Sequence, residues 1–314
     1  MVEYCVRERL IQTIRSTGAV AVGVARAELT EESENRRVDE WVASGMHAGM
    51  SWMERHALLR RDLNNVLPGV RSVVCAAYPY APTVERPSEL PYISRYAYNE
   101  DYHESIRARL RAVLSEMGLD AVCRICIDSA PVSERYWAVR AGIGYRGDNG
   151  ALIVPGVGPE VFLAEILTTL DLEPDAPGVS TAKECLHCGA CHRACPTGAL
   201  QQDGTIDCRR CISYLTIEHR GPWTEPEAVA AMSTPAGRHS LFGCDRCITV
   251  CPLSRLESYP ESRYVDEPLP QVLSLTSADF PATPAEFKAR FRHTALLRPG
   301  IDGLLRNLAN LKPD

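Results

Sequence analysis

At 314 residues the chain can bury a sizeable core in two or more units, and its 45% hydrophobic and 24% charged residues are ordinary for a globular protein. A net charge of −6 argues against nucleic-acid binding over the whole surface but leaves room for a local basic face. No run approaches the roughly 20 apolar residues of a membrane helix and the first residues hold no signal-peptide core, so thirteen cysteines point to metal in a reducing cytoplasm rather than to disulfides.

Residues 3–18, EYCVRERLIQTIRSTG, have the period of an amphipathic helix closed by Gly18, and AVAVGVAR after it reads as a buried strand. EESENRRVDEWVASG predicts a second helix, followed by the glycine- and methionine-rich turn GMHAGMSWM. SVVCAAYPY is another strand. Asn99, with Glu100 and Asp101 behind it, is the expected cap of the helix DYHESIRARLRAVLSEMG. AVCRICID is a strand that delivers Asp128 to its C-terminal end, VSERYWAVRAG a short helix ending at Gly142, and ALIVP and EVFLAEILTTL complete the set. Strands mixed with helices to about residue 172 read as one α/β domain. GIGYRGDNG follows a helix and leads into a strand, the reverse of a dinucleotide-binding turn. DLEPDAPGVSTAKE, residues 171–184, has a linker's composition.

The cysteine spacing is the most specific signal. Cys185, Cys188, Cys191 and Cys195 have the C-x2-C-x2-C-x3-C-P pattern of two-cluster bacterial ferredoxins, in which the fourth cysteine serves the other cluster. Cys244, Cys247 and Cys251 in CDRCITVCP form a second, shorter block. These seven are one short of two [4Fe–4S] clusters, and DCRRCISYL offers Cys208 or Cys211 as the eighth. One cluster takes Cys185, Cys188, Cys191 and Cys251; the other takes Cys195, Cys244, Cys247 and one of that pair. Zinc would not need the third cysteine of each block or the two C-P endings. Cys123 and Cys126 point to opposite faces of a predicted strand, and with Cys5 and Cys75 they read as buried structural cysteines.

HAGMSWMERH, ISRYAYNEDYH, DSAPVSERYWAVRAGIGYRGDN, CGACHRACPTGAL, CRRCISYLTIEHRG and GCDRCITVCP stand in the order found in the epoxyqueuosine reductase family, which the chain resembles from about residue 5 to 308. The resemblance implies an α/β (α+β) cobalamin-binding domain over 1–175, a ferredoxin-like two-[4Fe–4S] domain over 176–258, and a basic helical segment over 259–314 packed on the core. It implies base-off cobalamin as a cofactor beside the two clusters, and a tRNA anticodon stem-loop carrying epoxyqueuosine as the substrate. The epoxide is reduced to the alkene with loss of water, the last step of queuosine synthesis. The family's proton donor falls on Asp128, its isolated cluster ligand on Cys211, and Cys208 becomes a spare thiol. Cobalamin contacts carry over to Arg60, Ser94, Asp128, Leu152, Leu163, Ser213 and Asp245.

Departures from the family pattern are Asp148 where a basic residue is usual, GPEVFL for GSWFFL and CPLSR for CPWN, together with the absence of a helical-repeat extension. For tRNA the sequence offers His219, Arg220, Lys288, Arg290 and Arg292, joined by His293 and Arg298. His103, His47 and Tyr102 are candidates for the substrate pocket. The remaining expectations are a flavodoxin or ferredoxin as electron donor, a monomer, no membrane association and a cytoplasmic location. The competing readings are a cytoplasmic cobalamin-dependent reductive dehalogenase and an iron–sulfur electron carrier without cobalamin.

Overall fold

SVVCAAYP at Ser72–Pro79 is buried along its whole length, so it needs strands on both sides and packed layers above and below. The computed structural model, which describes residues 2–82, 84–175, 185–254, 268–281 and 283–311, supplies them. The strands are β1 (Ala21–Arg26), β2 (Ser72–Pro79), β3 (Tyr92–Ile93), β4 (Cys123–Cys126), β5 (Tyr145–Arg146), β6 (Leu152–Ile153), β7 (Val161–Thr168) and β8 (Ser240–Phe242). The main sheet has the order β1-β2-β7-β4 and is antiparallel throughout.

Helices α1 (Val2–Ser16), α3 (Tyr102–Glu116) and α4 (Glu134–Arg140) pack on this sheet, while α2 (Glu32–Ala43) sends Trp41 to the cysteine-rich unit. On one face Leu10 and Ile14 of α1 and Ile106 and Leu110 of α3 meet Val74 and Ile166. On the other face Trp137 and Ala138 of α4 meet Val73, Cys75 and Cys126. Burying each large apolar side chain here stabilises by about 1.5–3 kcal/mol. Gly23 lets β1 approach α4, because a Cβ there would lie 2.1 Å from the Ala141 carbonyl oxygen.

The cap of α3 is Asp101 and not Asn99: the Asp101 carboxylate accepts the His103 backbone N–H at 2.9 Å, two residues on, whereas Asn99 Oδ1 is buried without a partner. Cys5 is exposed, contrary to the buried reading, because the core face of α1 is spent on Leu10, Ile11 and Ile14. Cys123 and Cys126 contribute to opposite faces of the sheet.

The cysteine-rich unit carries the short helices α5 (Ala190–Ala194), α6 (Ile212–Ile217) and α7 (Arg246–Thr249). β3 pairs in parallel with β8 across the chain, and Ile93, Ala97 and Tyr98 enter a core with Phe242, Phe287, Phe291 and Leu304. That core includes α8 (Pro284–Arg290) and α9 (Gly300–Asn310). Gly243, at φ +75°, allows the crossing, since a Cβ would fall 1.9 Å from Ser94 Oγ. The linker is described only as far as Asp175, which accepts the Val24 N–H and pairs with Arg7. The boundary at 258/259 lies outside the described residues. No helix among the described residues is long and apolar enough to cross a membrane.

Candidate active site

Cys185, Cys188, Cys191 and Cys251 line one small cavity between the loop before α5 and the turn after α7. Cys195, Cys211, Cys244 and Cys247 form the second group, near enough that Cys195 raises Cys211, Cys211 raises Cys244, and all three raise Cys247. Burial, reinforced by Cys211, pushes the Cys244 thiol up to about 12, so a metal must displace its proton. Of the pair that the spacing left open, Cys211 stands with Cys195, Cys244 and Cys247. Cys208 is buried, burial raises its thiol, and it lines a second, much larger cavity beside Cys211.

That cavity, of about 1100 Å³, is walled by all three parts of the chain. α2 supplies Glu34, Arg37 and Trp41; the turn behind it Met50, Trp52 and Arg60; the loops around α3 and α4 Tyr102, His103, Asp128 and Glu134; the cysteine-rich unit Gly204–Ile206; and the C-terminal segment Leu297 and Arg298. The volume lies at or above the upper end of ordinary small-molecule sites. Glu34 is buried between Arg37 and Arg146; burial opposes its charge, but the two guanidiniums hold its carboxyl at about 2.

Asp128 stands on the turn after β4 at φ +50°, a conformation a non-glycine residue adopts only when its surroundings impose it. Its side chain is 63% exposed to the cavity. One oxygen is 3.2 Å from His103 Nε2, and His103 Nδ1 is 2.7 Å from Asp101. Burial works to lower the imidazole, but the two carboxylates win and raise it to about 9. Burial likewise works to raise Asp128, and the contact with His103, with help from Tyr102, holds it below the ordinary carboxylate value. The proton of this pair therefore rests on His103 at neutral pH.

Of the residues expected to contact cobalamin, Arg60 and Asp128 line the cavity. Leu152 lies in the core beneath α4, with Leu163 packed against it, and Ser213 is half-buried in the first turn of α6. Ser94 and Asp245 sit where β3 meets the cluster loop, and Asp245 accepts from the Arg95 amide at 2.6 Å and from Tyr92 at 3.0 Å. Asp148 lies against the first cluster loop, its carboxylate 2.9 Å from His187 Nδ1, and away from the basic segment. Among the basic candidates Arg298 alone lines the cavity, bidentate to Glu218 and 5.6 Å over the Trp52 ring. Lys288, Arg290 and Arg292 are exposed, Arg290 pairing with Asp279, while Arg220 donates to the Ile217 and Arg298 carbonyls and His219 lies 3.1 Å from that of Pro222. His47 is buried away from the cavity. Sequence reasoning missed Glu134, whose carboxylate accepts the Asp128 amide, and Glu165, buried beneath it. Glu165, an acid inside the apolar run VFLAEIL, was the available signal.

A family model described as "Epoxyqueuosine reductase QueG, DUF1730" matches residues 60–129, and one described as "4Fe-4S double cluster binding domain" matches residues 184–254. The epoxyqueuosine reductase of Gloeobacter violaceus is 37% identical over 93% of this chain and 91% of its own. The chain belongs to the epoxyqueuosine reductase family. The Escherichia coli family member is 36% identical over 76% of this chain and 62% of its own. An epoxyqueuosine reductase solved with an epoxyqueuosine-modified tRNA-Tyr stem-loop superposes with a TM-score of 0.83 at 27% identity, covering 98% of this chain and 81% of the other. The Bacillus subtilis epoxyqueuosine reductase, solved with its aspartate-bearing catalytic loop swung out of the active site, superposes equally well at 28% identity. Membership makes the protein an oxidoreductase, and the double-cluster match gives it two [4Fe–4S] centres.

Proposed function

We propose that this protein is a tRNA epoxyqueuosine reductase that converts epoxyqueuosine at the wobble position to queuosine. What carries the reading is the family match along nearly the whole chain, joined to a large cavity lined by an aspartate–histidine pair and by Cys208, the neighbour of Cys211. Reduction of an epoxide to an alkene consumes two electrons and two protons and releases water. The clusters supply the electrons one at a time, and Cys208 at the cavity wall neighbours Cys211 of the second cysteine group.

Cobalamin fits this site by size and by donor set: the cavity exceeds what a nucleoside needs, and Arg60, itself held by the Met53 carbonyl at 3.1 Å, offers a half-buried cation at its edge. When bound it supplies a low-potential metal nucleophile. The chain's own residues do the proton work. His103 Nε2 holds the proton, Asp128 receives it 3.2 Å away, and the Asp128 carboxyl passes it to the oxygen released from the opened ring. Asp101 keeps the imidazole oriented throughout. Arg298, Lys288, Arg290 and Arg292, with His219 and Arg220, form the rim that meets the stem-loop phosphates. The donor is a low-potential carrier such as flavodoxin or ferredoxin, and the protein acts as a cytoplasmic monomer.

The test is turnover by anaerobic, cluster-reconstituted, cobalamin-loaded protein on tRNA bearing epoxyqueuosine, followed by mass spectrometry of the digested nucleosides. Cobalamin-dependent loss of one oxygen is expected. Bound cobalamin and reducible clusters with no oxygen loss would move the substrate elsewhere.

A further inference from the structure

Glu165 lies in the middle of β7, an interior strand, with none of its surface exposed. Its cross-strand neighbours are Cys75 and Cys126, and neither of its carboxyl oxygens has a hydrogen-bond donor among the described residues. An ionised carboxylate in such a place would be prohibitively costly, so the group carries a proton. The carboxyl of Glu134 lies within hydrogen-bonding reach of it. Contact between two carboxyls is a hydrogen bond only when a proton lies between them. Glu134 opens α4 at the cavity wall, and its other duty is to accept the backbone N–H of Asp128.

We propose that Glu134 and Glu165 are positioning residues: a proton shared between them lets Glu134 grip the Asp128 amide and keep its left-handed turn facing the cavity. This rests on the reading of Asp128 as part of the acid. The groups facing the pair are the Asp128 carboxylate, Arg135, Tyr102 and the thiols of Cys75 and Cys126. Burial, with Asp128 adding to it, raises Glu134 to about 8, and burial together with Glu134 holds Glu165 well above the usual carboxylate range. As the pH rises Glu134 ionises first, the Asp128 carboxylate beside it repels the new charge, and the grip on the Asp128 turn is released.

In Glu165→Gln a permanent N–H donor replaces the shared proton, so the clamp no longer titrates. Infrared pH-difference spectra of the cluster-reconstituted full chain read protonated carboxyls without substrate. Asp245 and Glu160 are also raised by burial, so the diagnostic is the band that separates wild type from Glu165→Gln. At pH 7 that difference band is expected, and it should shift as the pH passes about 8 and Glu134 ionises beside it. In turnover assays kcat of the wild type should fall on the alkaline side at constant KM. Glu165→Gln should keep neutral kcat within about twofold and shift that fall upward by at least about one pH unit. His103 titrates at about 9, and a fall that belongs to His103 would stay in place in this variant. No difference band, or an alkaline fall unmoved in folded Glu165→Gln, overturns the proposal. Should that variant fail to fold, Glu134→Gln gives the same two outcomes for the alkaline fall. The infrared arm uses no tRNA, so its failure is distinct from failure of the substrate assignment.

Discussion

The sheet domain and the cysteine-rich unit are ordered by different means. The first has two apolar layers on a four-stranded sheet, with Val73, Ala77, Ala164 and Leu167 fully buried between helices of up to 15 residues. The second has helices of four to seven residues, too short to persist alone, around thiols that burial keeps protonated until metal arrives. The first can build its half of the cavity from packing, whereas the second needs its clusters to complete the other half. The redox and acid halves of the site are therefore separable by experiment.

The largest effect should come from removing iron. Hydrogen exchange in chelated protein should lose protection over 185–254 while amides of β2 and β7 stay protected; loss in both regions would show that the sheet domain also leans on the clusters. Cys211→Ala should lower iron from about eight to about four atoms per chain, and eight retained would break the ligand division. Next in size, Asp128→Asn should cost about 10²–10⁴ in turnover with iron content unchanged, and full activity would remove Asp128 from the acid. Ile166→Ala should destabilise the sheet domain by about 2–5 kcal/mol, seen as a lowered melting temperature with the cluster absorbance retained below it.

A pH series sharpens the same contrast. His103 has a folded pKa raised from 6.5 to about 9, so its stabilisation is complete below 6.5 and is lost as the pH rises through 9. The melting advantage of wild type over His103→Gln should shrink across that window, and an advantage constant with pH would mean His103 is not charged. The smallest effect belongs to the basic rim. Lys288→Ala and Arg292→Ala should each weaken stem-loop binding modestly and reduce its salt slope by about one, and unchanged slopes would place the phosphates elsewhere.

The sheet domain was the more legible region because its signals are local and repeated. The apolar run of SVVCAAYPY, the period of residues 3–18 and the closing glycines each rest on several residues at once. Asn99 was misjudged as a cap because the choice among neighbouring Asn and Asp turns on which side chain lies two residues before a free N–H. The β3–β8 pairing joins strands of two and three residues far apart in the chain, and no periodicity reveals that. The pair of clusters was readable because thiolate spacing is itself the geometry of a cluster, whereas the choice between Cys208 and Cys211 was not in the spacing. The setting of Asp128 was half readable: it stood out at a strand end, but its contacts with His103 and Glu134 are tertiary.

The most direct measurement is a single turnover of protein reduced in advance, freed of external donor, and mixed anaerobically with epoxyqueuosine tRNA, wild type beside Asp128→Asn. The account predicts queuosine and oxidation of the clusters in wild type, and reduced clusters with almost no queuosine in the variant. Equal queuosine from both, or cluster oxidation without loss of the epoxide oxygen in wild type, would contradict it.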